Sequence, residues 1–138
     1  MIDKSKRLVR PTQTLEQAVP LKNRQIYFDS IAEMFKVRAQ ESPDSIFVYY
    51  YDQVITYAQT NERSNRVANF LKSEGVKKGD FISVMVMNSP ECYYTMFGAQ
   101  KLGAVAGAIN YMLKGPEIAY VLDDCKPKVA FVSSEFMS

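Results

Sequence analysis

The chain has 138 residues, 47% of them hydrophobic, and 17 Lys and Arg against 15 Asp and Glu give a formal net charge of +2. That length fits one domain or a part of a larger one, and it is enough to bury a real core. Histidine is absent, which excludes Ser-His and Cys-His nucleophile pairs, and two cysteines without histidine cannot build a zinc site.

Residues 1–28 hold six Lys or Arg against two acids, so +4, while the remainder carries −2. This stretch has no clear period and is broken by Pro11 and Pro20. It reads as an irregular leader. Its bases are scattered and not interleaved with aromatics, so a solvated leader or a strap on another domain fits better than a nucleic-acid or membrane contact. No apolar core of a secretory signal is visible, and the longest uncharged runs are about a dozen residues, too short to span a bilayer. Cys92 and Cys125 fall within apolar helical patterns, as buried free thiols do. The expectation is a soluble, cytoplasmic chain.

A first helix is predicted from Asp29 or Ser30. Ser30 and Glu33 have the capping-box spacing, and Ile31, Met34, Phe35 and Ala39 recur at helical intervals as far as the Pro43 break. Ile46 to Tyr51 is a strand by composition, and Val54-Ile55 returns after a turn at Asp52-Gln53. Thr56 and Gln59 form a second capping box. They open a long helix with Ser64, Val67, Ala68 and Leu71 inward and Gly75 at its end.

Phe81 to Met87 is apolar on nearly every residue, which suits a parallel strand buried on both faces. It turns at Asn88-Ser89-Pro90-Glu91 into a helix that Gly103 stops, with Ser89 as N-cap and Pro90 at the first helical position. Ala104 to Ile109 is the next strand. A helix from Lys114-Gly115-Pro116-Glu117 follows, with Ile118, Val121, Leu122 and Cys125 as its apolar stripe, and Lys128 to Val132 is a further strand. From Phe81 the order is βαβαβ. This predicts an α/β fold: an incomplete doubly wound parallel sheet preceded by a helix, a β-hairpin and a long helix. The chain stops just after a strand, so residues 29–138 are expected to be a subdomain truncated at its C-terminal end.

The search for chemistry is mostly negative. No GxGxxG and no GxxxxGK[ST] cradles a phosphate. Asp123 and Asp124 are helical neighbours that point about 100° apart, poorly placed to share a proton or a metal. In open parallel sheets, ligands bind beyond the carboxyl ends of the strands. Those ends carry Asn88-Ser89 and Asn110-Tyr111. Ser89 is either a plain N-cap or part of an anion site at a helix N-terminus, and the two asparagines are either turn residues or ligand groups. Tyr93, Tyr94, Met96 and Phe97 either line a pocket or pack on the sheet. Tyr49-Tyr50-Tyr51 is either an exposed aromatic interface or an edge strand with one buried face.

Several stretches, taken in order, resemble the amino-terminal part of the adenylate-forming, or AMP-dependent, acyl-CoA synthetase and ligase superfamily. They are Ile55-Thr56-Tyr57, Asn65-Arg66-Val67-Ala68, Gly75 to Asp80, Asn88-Ser89-Pro90-Glu91, Lys101 to Val105, Ile109-Asn110 and Glu117 to Asp124. The likeness runs from about Ile31 to Val132. It implies a parent protein that activates a carboxylic acid, in the first instance a fatty acid, with Mg2+ and ATP to an acyl-adenylate. The acyl group then passes to the thiol of CoA. AMP is a far better leaving group than oxide, and its departure needs phosphate clamps and a positioned cation. The family's phosphate loop, its adenine and magnesium segment, its ribose aspartate and its C-terminal lysine are not found in these residues. The resemblance therefore assigns no catalytic, cofactor-binding or metal residue here, and it implies that the chain alone is inert. Tyr111 stands where the family often has proline. Some relatives dimerise through amino-terminal segments, so a homodimer is a further expectation. The alternative, from the residues alone, is a free-standing flavodoxin-like ligand-binding or interaction module.

Overall fold

The structure is a computed structural model that describes residues 28–137. The leader expected over 1–28 lies, but for Phe28, outside the described residues. Helix α1 spans Ile31–Glu41, strands β1 and β2 span Ile46–Tyr50 and Gln53–Thr56, and α2 spans Tyr57–Ser73. Then come β3 at Phe81–Met85, α3 at Pro90–Lys101, β4 at Val105–Ala108, α4 at Gly115–Cys125 and β5 at Val129–Val132, followed by a 3-10 turn at Ser134–Phe136.

The helix starts follow the sequence signals closely. Ser30 Oγ accepts from Glu33 N at 3.1 Å. Thr56 Oγ1 accepts from Gln59 N at 3.3 Å while Gln59 Oε1 accepts from Thr56 N at 3.0 Å, a complete capping box. Two local expectations need correction. The hairpin turn is Tyr51-Asp52, because Tyr50 pairs with Gln53 in the antiparallel ladder, and Tyr51 takes the left-handed φ of 51° that the turn demands. Ser89 sits at the N-cap of α3 with extended backbone, yet its side chain makes no capping bond.

Strand β3 is central in a parallel sheet of order β4-β3-β5, and the β1–β2 hairpin forms a separate two-stranded sheet. From β3 the chain moves to one side for β4, then crosses back over β3 to β5. Right-handed crossovers in opposite directions put their helices on opposite faces. The contacts agree. Ile82 and Val84 of β3 share a core with Leu71 of α2 and Ala99 of α3. Ser83 points the other way, and its Oγ lies 3.8 Å from Cys125 Sγ of α4. The two faces are unequally covered. Leu71, Ile82 and Ala99 are fully buried, whereas no residue of α4 is.

Helices α2 and α3 approach so closely that a Cβ on Gly98 would lie 2.7 Å from Val67 Cγ1 and 3.0 Å from the Ser64 carbonyl oxygen. Beside the sheet, Phe35 of α1 stacks on Phe97 of α3 at 4.3 Å, and Phe47 of β1 meets Phe35 edge-on at 5.3 Å. This aromatic cluster anchors α1 and the hairpin. Of Tyr93, Tyr94, Met96 and Phe97, it draws Phe97 into packing; Tyr94 is buried too, with Arg63 Nη1 donating to its hydroxyl at 2.8 Å, while Tyr93 is exposed. Both cysteines are free and half-buried rather than fully buried.

Candidate strand-end crevice

Because the chain reverses its direction of travel between β4 and β5, the topological switch lies between β3 and β5. The carboxyl ends of those two strands frame a crevice, the place where open α/β sheets bind ligands. It has a volume of about 380 Å³. Val86, Met87 and Ser89 follow β3 into it, Phe131 and Val132 come from β5 with Ser133 just after it, and Glu91 and Thr95 come from the first turns of α3. Tyr50 of β1 and Glu135 complete the wall. On the other side of Ser89 and Tyr50 lies a second hollow of about 420 Å³, lined by Asn88, Cys92, Tyr93 and the rest of the β1 end.

Of the four residues singled out from sequence, Ser89 lines both hollows and Asn88 lines the second. Asn110 and Tyr111 line neither. They follow β4, on the far side of β3 from the switch. Asn110 Oδ1 accepts from Met112 N at 3.0 Å and its carbonyl accepts from Leu113 N at 3.1 Å, which is turn chemistry. Tyr111 stacks on Phe136 with ring centroids 5.4 Å apart. Sequence reasoning passed over Ser133 and Glu135, although they follow β5 as Asn88 follows β3. It had no means of placing Tyr50, which arrives from a different sheet.

The electrostatics of the crevice work against a bound polyanion. Its lining includes Glu91 and Glu135 and no Lys or Arg. The Tyr50 phenol is held above its usual 10.0 by lost hydration first, then by the negative charges of Tyr51, Glu91 and Glu135. Thr95 Oγ1 donates to the Glu91 carbonyl at 2.8 Å, so its proton is already used. Burial alone raises the Cys92 thiol in the second hollow above its ordinary value, which makes it a poor nucleophile. Among the described residues, no group of three or more His, Cys, Asp or Glu side chains could hold a metal ion. The residues present do not fit a magnesium-bound triphosphate.

Comparison with known proteins gives the fold its context. The profile of the AMP-binding enzyme family matches residues 35–137. The chain belongs to that family. It is 36% identical over 109 residues to the medium/long-chain-fatty-acid–CoA ligase FadD6 of Mycobacterium tuberculosis (strain ATCC 25618 / H37Rv), which covers 79% of this chain and 18% of that protein. Among solved structures it resembles the anthranilate CoA ligase AuaEII in complex with anthranoyl-AMP, with a TM-score of 0.76 and 29% identity over 86% of this chain and 23% of that one. It also resembles the inhibitor-bound N-terminal domain of FACL13 from Mycobacterium tuberculosis, with a TM-score of 0.70 and 37% identity over 77% of this chain and 28% of that one. The matched region is the amino-terminal part of these AMP-binding enzymes. The chain spans only 18% and 21% of the lengths of two matched ligases and 2% of a matched peptide synthetase. No helix among the described residues is long and apolar enough to cross a membrane.

Proposed function

We propose that this chain is the amino-terminal layer of an acid–thiol ligase. The whole enzyme activates a carboxylic acid, a fatty acid in the first instance, with ATP and Mg2+ to an acyl-adenylate and passes the acyl group to CoA. It works in the cytoplasm and self-associates as a homodimer. In this reading residues 29–138 are a scaffold subdomain that catalyses nothing alone. The adenylation chemistry belongs to regions that the larger relatives possess and these residues do not contain.

The carrying observation is the family match over residues 35–137 in a fold whose switch-point crevice is lined by two carboxylates and no cation. A phosphate-clamping site needs preorganised positive groups where charge develops. The crevice offers the reverse, and this also weighs against a free-standing nucleotide-binding module.

Two measurements test the reading. Titration calorimetry of the chain with Mg-ATP, then with an acyl-adenylate analogue, is expected to show no saturable binding. Saturation by either would make the crevice a site in its own right. The second measurement grafts residues 29–138 onto the rest of a fatty-acid–CoA ligase in exchange for its own amino-terminal segment. A folded chimera is expected to form fatty acyl-CoA, and one that folds without forming the thioester would overturn the ligase assignment.

A further inference from the structure

A third hollow, of about 640 Å³, lies where α1, α2 and α3 meet. It is a different place from the strand-end crevice: Lys101 lies ten residues along α3 from Glu91, about 15 Å at helical rise. Its charged lining is Glu33 and Lys36 of α1 and Lys101 of α3, with the amides of Gln40, Asn61, Asn65 and Gln100 around them; Gln100 Oε1 is buried and has no partner among the described residues.

Lys101 is fixed rather than floppy. Its Nζ donates to Asn61 Oδ1 and Asn65 Oδ1, each at 2.6 Å, and to the Asn61 carbonyl at 3.4 Å. Each side-chain amide has one acceptor end and one donor end. With both Oδ1 atoms turned to the ammonium, both Nδ2 groups face away from it, and neither has a hydrogen-bond partner among the described residues. Lys36 and Lys101 form no ion pair with any described carboxylate. Burial first, and then the charge of Lys36, pull the Lys101 ammonium below its usual 10.5. Among the described residues, two ammonium groups therefore share the hollow with a single carboxylate, that of Glu33. Glu33, the one acid there, is engaged elsewhere, its Oε2 accepting from Asp29 N at 2.9 Å at the start of α1.

From this arrangement we infer that the α1–α2–α3 hollow binds a tetrahedral oxyanion, a phosphate or the terminal phosphate of a monoester, between Lys36 and the outward Nδ2 groups of Asn61 and Asn65. Lys101 is the positioning residue that orients those two amides. The three donors come from two helices, Lys36 from α1 and Asn61 and Asn65 from α2. A phosphate has an oxygen for each of them, whereas a carboxylate has only two oxygens to share among three.

The test titrates the full chain with inorganic phosphate at low ionic strength, following the Asn61 and Asn65 side-chain amide signals by NMR. Saturable shifts of both are expected. Lys36→Met, an exposed position, is expected to weaken binding about tenfold, the loss of one charge-assisted hydrogen bond, with Lys36→Arg restoring it. Lys72→Met, two turns from Asn65 along α2 and outside the hollow, donates no hydrogen bond there and is expected to weaken binding clearly less than Lys36→Met does. Glycerol phosphate matching inorganic phosphate would assign the site to a terminal phosphate, and free phosphate binding more tightly would assign it to the whole ion. Unsaturable shifts, equal losses for Lys36→Met and Lys72→Met, or acetate binding as tightly as phosphate would each overturn the proposal.

Discussion

Asp80 shows how one side chain closes the fold at the amino ends of the strands. Its Oδ2 accepts from Lys77 N at 2.6 Å and lies 2.8 Å from Lys128 Nζ, so it ties the turn before β3 to the start of β5. The Lys128 hydrogen bond above all, with the Lys77 amide, holds its carboxyl below the usual 3.8. A carboxylate with a depressed folded value stabilises the fold fully above its unfolded value and loses that contribution as pH falls through the folded one. Asp80→Asn is therefore expected to be less stable than the parent at pH 7, with the gap narrowing once the pH drops below 3.8. Urea denaturation across that range reads it, and a gap that stays constant with pH would mean the charge is not the cause. Added salt should narrow it as well, since the pair is partly exposed. At this scale the sequence was legible where the chemistry is local. Thr56 and Gln59 signal a capping box and build one. Ser89 signals a cap and occupies the position, but its hydroxyl is left over, because where that hydroxyl turns depends on what surrounds it rather than on the residues beside it.

At the scale of elements, helices α2 and α3 approach closely, and Gly98 is what allows it. The Cβ of any other residue there would press on Val67, which is stiff at χ1, and on a backbone carbonyl that cannot yield. Gly98→Ala is expected to cost about 1–3 kcal/mol by overpacking, despite the better helix propensity of alanine. Gly115→Ala, with nothing within 4 Å of the added methyl, serves as the control and is expected to be neutral or slightly stabilising. Chemical denaturation of the two variants separates them, and equal effects would refute the joint. Nothing in the sequence marked Gly98: it sits mid-helix as an ordinary interruption, and only the partner helix gives it a purpose. The elements themselves were legible, since buried parallel strands and amphipathic helices carry different periods. Their ends moved by a residue or two, as at β3, which stops at Met85 because the ladder runs out of partners there.

Across the whole molecule, the sheet is covered unequally. Strands β4 and β5 each leave an edge without a partner among the described residues. Phe81, Val105 and Val132 are exposed, as are Tyr49 and Tyr51 of the hairpin. Open edges beside apolar side chains favour pairing with other chains. The chain is expected to self-associate with rising concentration, with a rising light-scattering mass and binding of an apolar-surface dye. A constant monomer mass with no more dye than a well-packed protein of this size binds would count against it.

What the sequence determined by itself was the set of elements, the parallel βαβαβ order and, through ordered motifs, the family. Each of these rests on neighbours along the chain: hydrophobic period, capping residues, prolines and glycines at element ends. Only the tertiary structure decided that β5 crosses back to sit beside β3. That choice brings Ser89 together with Ser133 and Glu135 in one crevice and leaves Asn110 and Tyr111 outside it, with Tyr111 stacked on Phe136 instead. Strand order is set by which faces the crossover helices must bury, a long-range packing requirement that no local stretch of residues encodes.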